Sequence, residues 1–410
     1  MAKRSSSYDW GLFIWSLVAT CLGVFFIFDA GYARSIQANH GPIPREFRAQ
    51  LIFFFLSVFI YYLTSTIRPN FWKKYAKPCF WLCFMTLILV EIPGLGVEMN
   101  GAKRWLGFGP FSIQPAEFMK VAVILFLAAV FWNRPQFTPY KKMTKNWGEW
   151  MDKKFVPKMK RIWPAVWVLI AVYIIEREPD LGTAAVIIAT SFAMMFLGGI
   201  SKKSILTISI LGLLGVGFLV TLEPYRIERI LSHGARWTPE QLDDMGYQTT
   251  QSETAMAGGG LVGVGIGSGR AKHMLPAATT DFIMATIGEE FGLIGALAIL
   301  AIIGWITVRI IRQAMSIGDR FAQLFLYGTA AWIGIQTCVN MMMVNGTLPA
   351  IGIPLPFISS GGSSLLALWA ALGICQSFIS NKIKLEGKVN EISDNRRRDR
   401  RAYISSSSGR

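Results

Sequence analysis

Charge is scarce in this chain of 410 residues: 16% are Asp, Glu, Lys or Arg, where ordinary soluble domains carry roughly a quarter. With 52% hydrophobic residues and a mean hydropathy of +0.41, that shortage excludes a disordered chain and argues against a soluble globular one. Histidine is scarcer still. His40, His233 and His273 lie too far apart for any zinc-type spacing. The five cysteines (Cys21, Cys79, Cys83, Cys338, Cys375) all fall inside apolar runs, so no disulfide framework is indicated. Cys79 and Cys83 are one helical turn apart but have no second ligand pair, and read as packing residues. The charge that is present has a strong bias, net +16, which by itself suits nucleic acid or an anionic membrane surface.

The apolar runs decide between these partners. Ten stretches have the length and composition of spanning helices, near 10–28, 50–66, 78–92, 116–132, 162–176, 182–198, 204–222, 289–311, 323–344 and 363–380. Only Lys3 and Arg4 precede the first as cations, and "IFDAGYARS" is a poor cleavage site, so this run reads as a retained helix. If the N-terminus is inside, the inner segments collect most of the Lys and Arg, while the outer loops hold slightly more carboxylates than cations. This is the positive-inside pattern; it places both termini in the cytoplasm and leaves nucleic acid unnecessary. The expected fold class is all-α: a polytopic integral membrane protein with ten transmembrane helices and a large extracytoplasmic loop, 223–288, between helices 7 and 8. Residues 1–380 form the membrane domain. Residues 381–410, with "NRRRDRR" and "SSSSGR", read as a disordered basic cytoplasmic tail. The inner loop 133–161 is basic and carries Trp147 and Trp150, which suits contact with an anionic leaflet.

Ionisable side chains at membrane depth are costly and need a reason. Glu117 and Lys120 share one helical face at the start of the fourth span. They read either as a mutually neutralising pair or as the polar floor of a cavity. Upstream, "GAKRWLGFGPFSIQPAE" sets Lys103, Arg104, Trp105 and Gln114 at the outer surface, where Trp105 suits an interfacial belt or, beside two cations, stacking on a sugar. In "EREPDLGTA", Asp180 suits the N-cap of the sixth span or a contact with substrate.

The stretch 257–290 is the most informative. Gly258, Gly260 and Gly263 fit G-x-G-x-x-G, with Asp281 downstream. A dinucleotide site is rejected, because no strand–turn–helix unit precedes the glycines and the segment faces outward. The glycines instead suit a backbone folded tightly at the membrane surface. Arg270, Lys272 and His273 form a cationic cluster fit for a phosphate or pyrophosphate. Asp281 suits either an N-cap or proton abstraction from a sugar hydroxyl. In "NGTLPAIGIPLPFISSGGSSLLA" (345–367), Ser359, Ser360, Ser363 and Ser364 suit a helix cap or hydrogen bonds to a ligand, and Asn345-Gly346-Thr347 matches a glycosylation sequon.

Five segments taken together resemble the shape, elongation, division and sporulation (SEDS) family, which includes RodA and FtsW. They are "RWLGFGPFSIQPAEFMK" (104–120), "EPDLGTA" (178–184), "YQTTQS" (247–252), "LPAATTDFIMATIGEEFGLIG" (275–295) and "GIPLPFISSGGSS" (352–364), in the family's order. The resemblance implies a ten-span enzyme of the bacterial cytoplasmic membrane that polymerises lipid II into glycan strands. It makes Asp281 the essential outer-loop aspartate, and sets Trp105, Glu117, Lys120 and Asp180 on other functionally sensitive positions. Arg104, Gln114, Arg270, Lys272 and Ser363 join them as candidate substrate contacts. It also implies a class B penicillin-binding protein as partner; a divalent cation on the pyrophosphate is compatible, although no ligand cluster requires one. Ala277 and Thr279 stand where the family has Glu and His, Ala116 where it has Ser, and Ser360 where it has Tyr. "GIPLP" leans toward RodA, while the basic tail and "FIFDAGYARS" lean toward FtsW, the branch favoured. The competing readings are a flippase for the lipid-linked precursor and a scaffold that only activates its partner.

Overall fold

The computed structural model describes residues 8–39, 41–99, 102–108, 111–133, 156–199, 231–242 and 246–381, with single positions at 210 and 228. The seventh expected span, most of the basic loop 133–161 and the tail beyond residue 381 lie outside the described residues. Long helices account for the other expected spans: α1 (Trp10–Gln37), α2 (Arg45–Thr66), α3 (Pro69–Glu91), α4 (Pro115–Phe131), α5 (Val156–Arg177), α6 (Leu181–Leu197), α8 (Ile283–Ser316), α9 (Arg320–Val344) and α10 (Gly362–Asn381). A further helix, α7 (Tyr247–Gly259), lies in the large loop before α8. As they stand, α1, α2, α8 and α10 are long and apolar enough to cross a bilayer, so the chain is a multi-pass integral membrane protein.

Burial sorts these helices into layers. Fourteen of the 17 residues of α4 are buried, and α10 is likewise mostly enclosed, so both stand in the middle of the bundle. α2 is peripheral, with Ile52, Phe55, Phe59 and Tyr62 largely exposed, as expected of side chains facing lipid. α4 packs against α3, α6 and α9, and α8 against α1 and α9. Polar ties join the helices as well: Trp369 on α10 donates to the Thr20 hydroxyl on α1 at 3.3 Å, and Arg309 on α8 reaches the α1 N-cap Asp9 at 2.6 Å.

Two departures from the sequence reading concern boundaries and class. α3 begins nine residues before the expected span, because its first turns carry Lys73, Lys74 and Lys77, which a hydropathy window rejects. Lys73 resolves the conflict by laying its ammonium 3.3 Å from the Trp132 ring centroid at the far end of α4. The segment 93–115 between α3 and α4 is not irregular. It forms an antiparallel three-stranded sheet of β1 (Gly96–Met99), β2 (Ala102–Phe108) and β3 (Phe111–Ile113), in the order β1-β2-β3. The all-α expectation therefore needs this small sheet added, and the sheet delivers Arg104 and Trp105 to the mouth of the bundle.

The glycine-rich stretch has a structural task. α8 breaks at Gly292, whose φ of 66° opens the helical ladder. The freed N–H groups of Leu293 and Ile294 donate to the carbonyls of Gly260 and Leu261 at 2.9 and 3.1 Å, and Val264 and Gly265 donate in turn to the carbonyls of Glu289 and Glu290. Residues 260–265 thus splice into the helix and keep its backbone satisfied, as membrane depth requires. The two carboxylates of "GEE" complete the splice. Glu289 accepts from the Ala271 N–H at 2.8 Å, and Glu290 accepts from Gly267 and Gly269. This splice leaves no room at Gly259, where a Cβ would run into the Gly288 carbonyl, whereas a Cβ on the neighbouring Gly258 would meet nothing within 4 Å. Gly259→Ala should therefore destabilise the protein by about 1–3 kcal/mol, and Gly258→Ala should be neutral or slightly stabilising. Thermal melts of the two variants in detergent check the contrast.

Candidate active site

Four distant segments converge on a cavity of about 380 Å³ at the end of the bundle that carries the sheet. β2 and the turn after β3 supply Arg104, Trp105 and Gln114, and the first turn of α4 supplies Glu117. The α5–α6 turn supplies Asp180, the segment before α8 supplies Thr280 and Asp281, and the loop before α10 supplies Gly352 and Ser360–Ser364. Seven of the residues singled out in the sequence, Arg104, Trp105, Gln114, Glu117, Asp180, Asp281 and Ser363, line this single space.

Each is held by a local cause. Pro115 opens α4 at a position where its missing N–H costs nothing, so Gln114 stays extended and points its amide across the cavity, donating to Asp180 Oδ2 at 2.8 Å. The other oxygen of Asp180 caps α6, accepting from the Thr183 N–H at 3.0 Å. Of the two sequence readings of Asp180, the N-cap is therefore observed, while its second oxygen faces the cavity. α6 can approach the 350s loop only because residue 182 is glycine: a Cβ there would meet the Ile351 carbonyl at 2.6 Å. Ser363, in the first turn of α10, accepts from the Gln114 N–H at 2.9 Å. The Arg104 guanidinium is pinned to the carbonyls of Glu178 and Pro179 at 2.8 and 2.5 Å.

Asp281 does not cap α8. That position is Phe282, and it makes no side-chain cap. The segment carrying Asp281 is instead sewn to its neighbours through backbone atoms. Asn340 donates to the Asp281 carbonyl at 2.8 Å and to the Ile353 carbonyl at 2.7 Å, Ser359 donates to the Thr280 carbonyl at 2.6 Å, and Ser360 N–H donates to the Thr279 carbonyl at 2.9 Å. Because the last of these is a main-chain bond, the seam does not depend on which side chains stand at 279 and 360. Gly352 beside the carboxylate takes a left-handed φ of 72° that favours glycine, and a Cβ there would be in ordinary contact, 3.7 Å from Asp281 Oδ2.

The electrostatics push the acids of this cavity upward. Burial, reinforced by the charges of Asp180 and Glu117 and opposed by Arg104, raises the Asp281 carboxyl to about 6. Burial also raises Asp180, against the hydrogen bond from Thr183 and the charge of Arg104. Glu178, buried beneath the turn and next to Asp180 and Glu91, is pushed to about 9. Glu117, Asp180 and Asp281 line a space in which, among the described residues, the one guanidinium, Arg104, is already bonded to main-chain carbonyls. Among the described residues, no three His, Cys, Asp or Glu side chains converge as a metal site would need.

Lys120 sits below the floor. It pairs with Glu117 at 2.8 Å, donates to Gln336 at 3.1 Å and lies 5.4 Å from the Trp332 ring centroid. Arg270 and Lys272 are not brought to the cavity. Arg270 is exposed, and Lys272 is buried between Glu290 at 2.7 Å and Asp29 at 3.2 Å, where it fastens the glycine-rich splice to α1. Sequence reasoning missed Asn340 and Gln336, which position the others. Asn340 and Gln336 are uncharged amides within an apolar run, and only their depth marks them.

The family model for the cell cycle protein family of FtsW, RodA and SpoVE matches residues 9–383. The chain belongs to this family. It is 34% identical over 91% of its length to stage V sporulation protein E of Bacillus subtilis, covering 97% of that protein. It is 33% identical over 93% of its length to the probable peptidoglycan glycosyltransferase FtsW of Geobacter metallireducens, again covering 97%. Among solved structures, a chain of a peptidoglycan synthase complex that coordinates polymerisation and crosslinking superposes with TM-score 0.74 at 26% identity, covering 92% of this chain and 99% of that one. The rod shape determining protein RodA of Thermus thermophilus has the same fold, with TM-score 0.64 at 24% identity, covering 93% and 99%.

Proposed function

We propose that this protein is a peptidoglycan glycosyltransferase that polymerises lipid II into glycan strands, with Asp281 as general base. The observation that carries the reading is the Asp281 carboxylate, raised toward neutrality, in a cavity that also presents an indole, an amide and hydroxyls, the groups that bind sugars. In the reaction the acceptor GlcNAc 4-hydroxyl attacks C1 of the donor MurNAc from the face opposite the leaving group. The C1–oxygen bond to the undecaprenyl pyrophosphate breaks with its electron pair going to the pyrophosphate, and the hydroxyl proton passes to the Asp281 carboxylate. Configuration at C1 inverts. Gln114, Asp180 and Trp105 would orient the sugars.

The same reading makes the fold ten-spanned, with the unassigned span at 204–222, both termini cytoplasmic and the cavity facing outward in the cytoplasmic membrane. The names of the curated relatives favour the FtsW and SpoVE side of the family, and the solved synthase complex favours a crosslinking penicillin-binding protein as partner. A flippase is less well supported, because below Lys120 the helix presents Val123 to Leu127, buried and wholly apolar, in place of a continuous polar path. The deciding experiment is a gel of lipid II products made by the purified protein in detergent, without a partner and with no membrane to cross. Glycan ladders support the proposal; their absence under conditions where the protein is folded removes it.

A pH dependence follows. A base must be unprotonated to accept a proton, so kcat/KM for polymerisation should rise as pH passes through about 6 and level off above it. Initial rates from pH 5 to 8 check the direction; a rate that falls over that interval contradicts Asp281 as base.

A further inference from the structure

The catalytic cavity is poorly made for a polyanion. Its single guanidinium, Arg104, is committed to the carbonyls of Glu178 and Pro179, and Glu117, Asp180 and Asp281 all face the same space. A diphosphate set among three carboxylates would be repelled by them. Among the described residues, the cations for such a group lie elsewhere.

A second cavity of about 140 Å³ lies on the other side of the segment that carries Asp281. Thr279 forms part of its wall, while Thr280 and Asp281 line the catalytic cavity, so alternate sides of one short stretch face two spaces. Its remaining polar lining is Arg34 and Ser35 from the last turns of α1, and Arg45 and Glu46 from the first turn of α2. Two guanidiniums against one carboxylate give it the cationic surplus that the larger cavity lacks. Arg34 spends one N–H on the Pro276 carbonyl at 2.7 Å, which fixes the fork and leaves the other donors of a five-donor group. α2 adds its positive end here: Pro44 caps it without a side-chain hydrogen bond, leaving first-turn N–H groups oriented toward an anion. Directly below, Leu51, Ile52, Phe55 and Leu56 of α2 are exposed, an apolar wall fit for a lipid chain.

We infer that the Arg34–Arg45 cavity is a seat for the diphosphate of a lipid-linked substrate, beside the cavity where its sugar reacts. The inference rests on the polymerase reading for the identity of the sugar, but the binding it asserts is for a polyprenyl diphosphate as such. The lipid tail runs down α2, the diphosphate is gripped by the two guanidinium forks, and the sugar passes over residues 279–281 to the base. Glu46 opposes the anion and tunes the affinity.

The test is equilibrium binding of a long-chain polyprenyl diphosphate, which has no sugar and cannot turn over, to the full protein in phosphatidylcholine nanodiscs. Arg45→Glu should weaken binding by about tenfold or more, Arg34→Lys severalfold, and Glu46→Gln should tighten it about two- to threefold. Arg45 is exposed, so its variant should keep the melting temperature of the parent. Inorganic diphosphate should compete, and phosphatidylglycerol added to the discs should not. Unchanged affinity in both arginine variants overturns the inference, as does competition by phosphatidylglycerol equal to that by diphosphate, which would make the cavity a phospholipid headgroup site. Absence of polymerising activity in the parent protein, with diphosphate binding intact, would instead count against the polymerase reading alone.

Discussion

Asp281→Asn is expected to abolish polymerisation while leaving the protein folded and inserted. The substitution keeps the shape and nearly the volume of the side chain, but an amide cannot take a proton from a sugar hydroxyl. Loss of a positioned base costs about 10²- to 10⁴-fold in rate, enough to empty a product gel. The fold should survive, because what anchors residue 281 is its main-chain carbonyl, held by Asn340, and not its carboxyl. Lipid II gels with circular dichroism on the same preparations separate the two effects. Full activity in the variant would remove Asp281 from the chemistry, and a collapsed melting curve would make it a structural residue.

The second large effect lies beneath the cavity floor. Glu117 and Lys120 are both about 3% exposed and 2.8 Å apart, so either one alone is an uncompensated charge in an apolar bundle. Lys120→Met should destabilise the protein by about 3–5 kcal/mol. The double variant Glu117→Gln/Lys120→Met should recover most of that, since removing both partners leaves nothing unpaired. Thermal melts of the two single variants and the double in detergent yield the coupling. A Lys120→Met protein as stable as the parent would mean that Glu117 sits there protonated, with no need of a counter-ion.

The positions of the spans were legible because hydrophobic length is a local property. The errors fell where tertiary contact outweighs local composition. Lys73, Lys74 and Lys77 hid the start of α3, and Lys73 is tolerated there only because Trp132, 59 residues further along the sequence, receives its charge. The sheet was missed although Asn100-Gly101, a strong hairpin signal, stands between β1 and β2. The charged run there reads as a loop when strand alternation is not sought. Glu117 was marked by its cost at membrane depth, and the other acids and polar residues of the cavity by local motifs and the family resemblance; they do converge. The basic cluster was not a single site, because charge along a sequence does not say which way each side chain turns. Lys272 turns inward to Asp29, 243 residues away, and Arg270 turns outward. Asp180 divides its two oxygens, one capping α6 and the other accepting from Gln114 across the cavity.

The splice at Gly292 also bears on how the molecule sits in its bilayer. Leu261, Val262, Val264 and Ile266 are all exposed on its outer side, forming a hydrophobic tongue whose neighbouring backbone is already hydrogen-bonded to α8. Such a tongue can lie among acyl chains without dragging water in. From that position a vertical slide of the protein would lift four aliphatic side chains into the headgroups, so the tongue would act as a depth gauge, holding the cavity at a set height above the hydrocarbon.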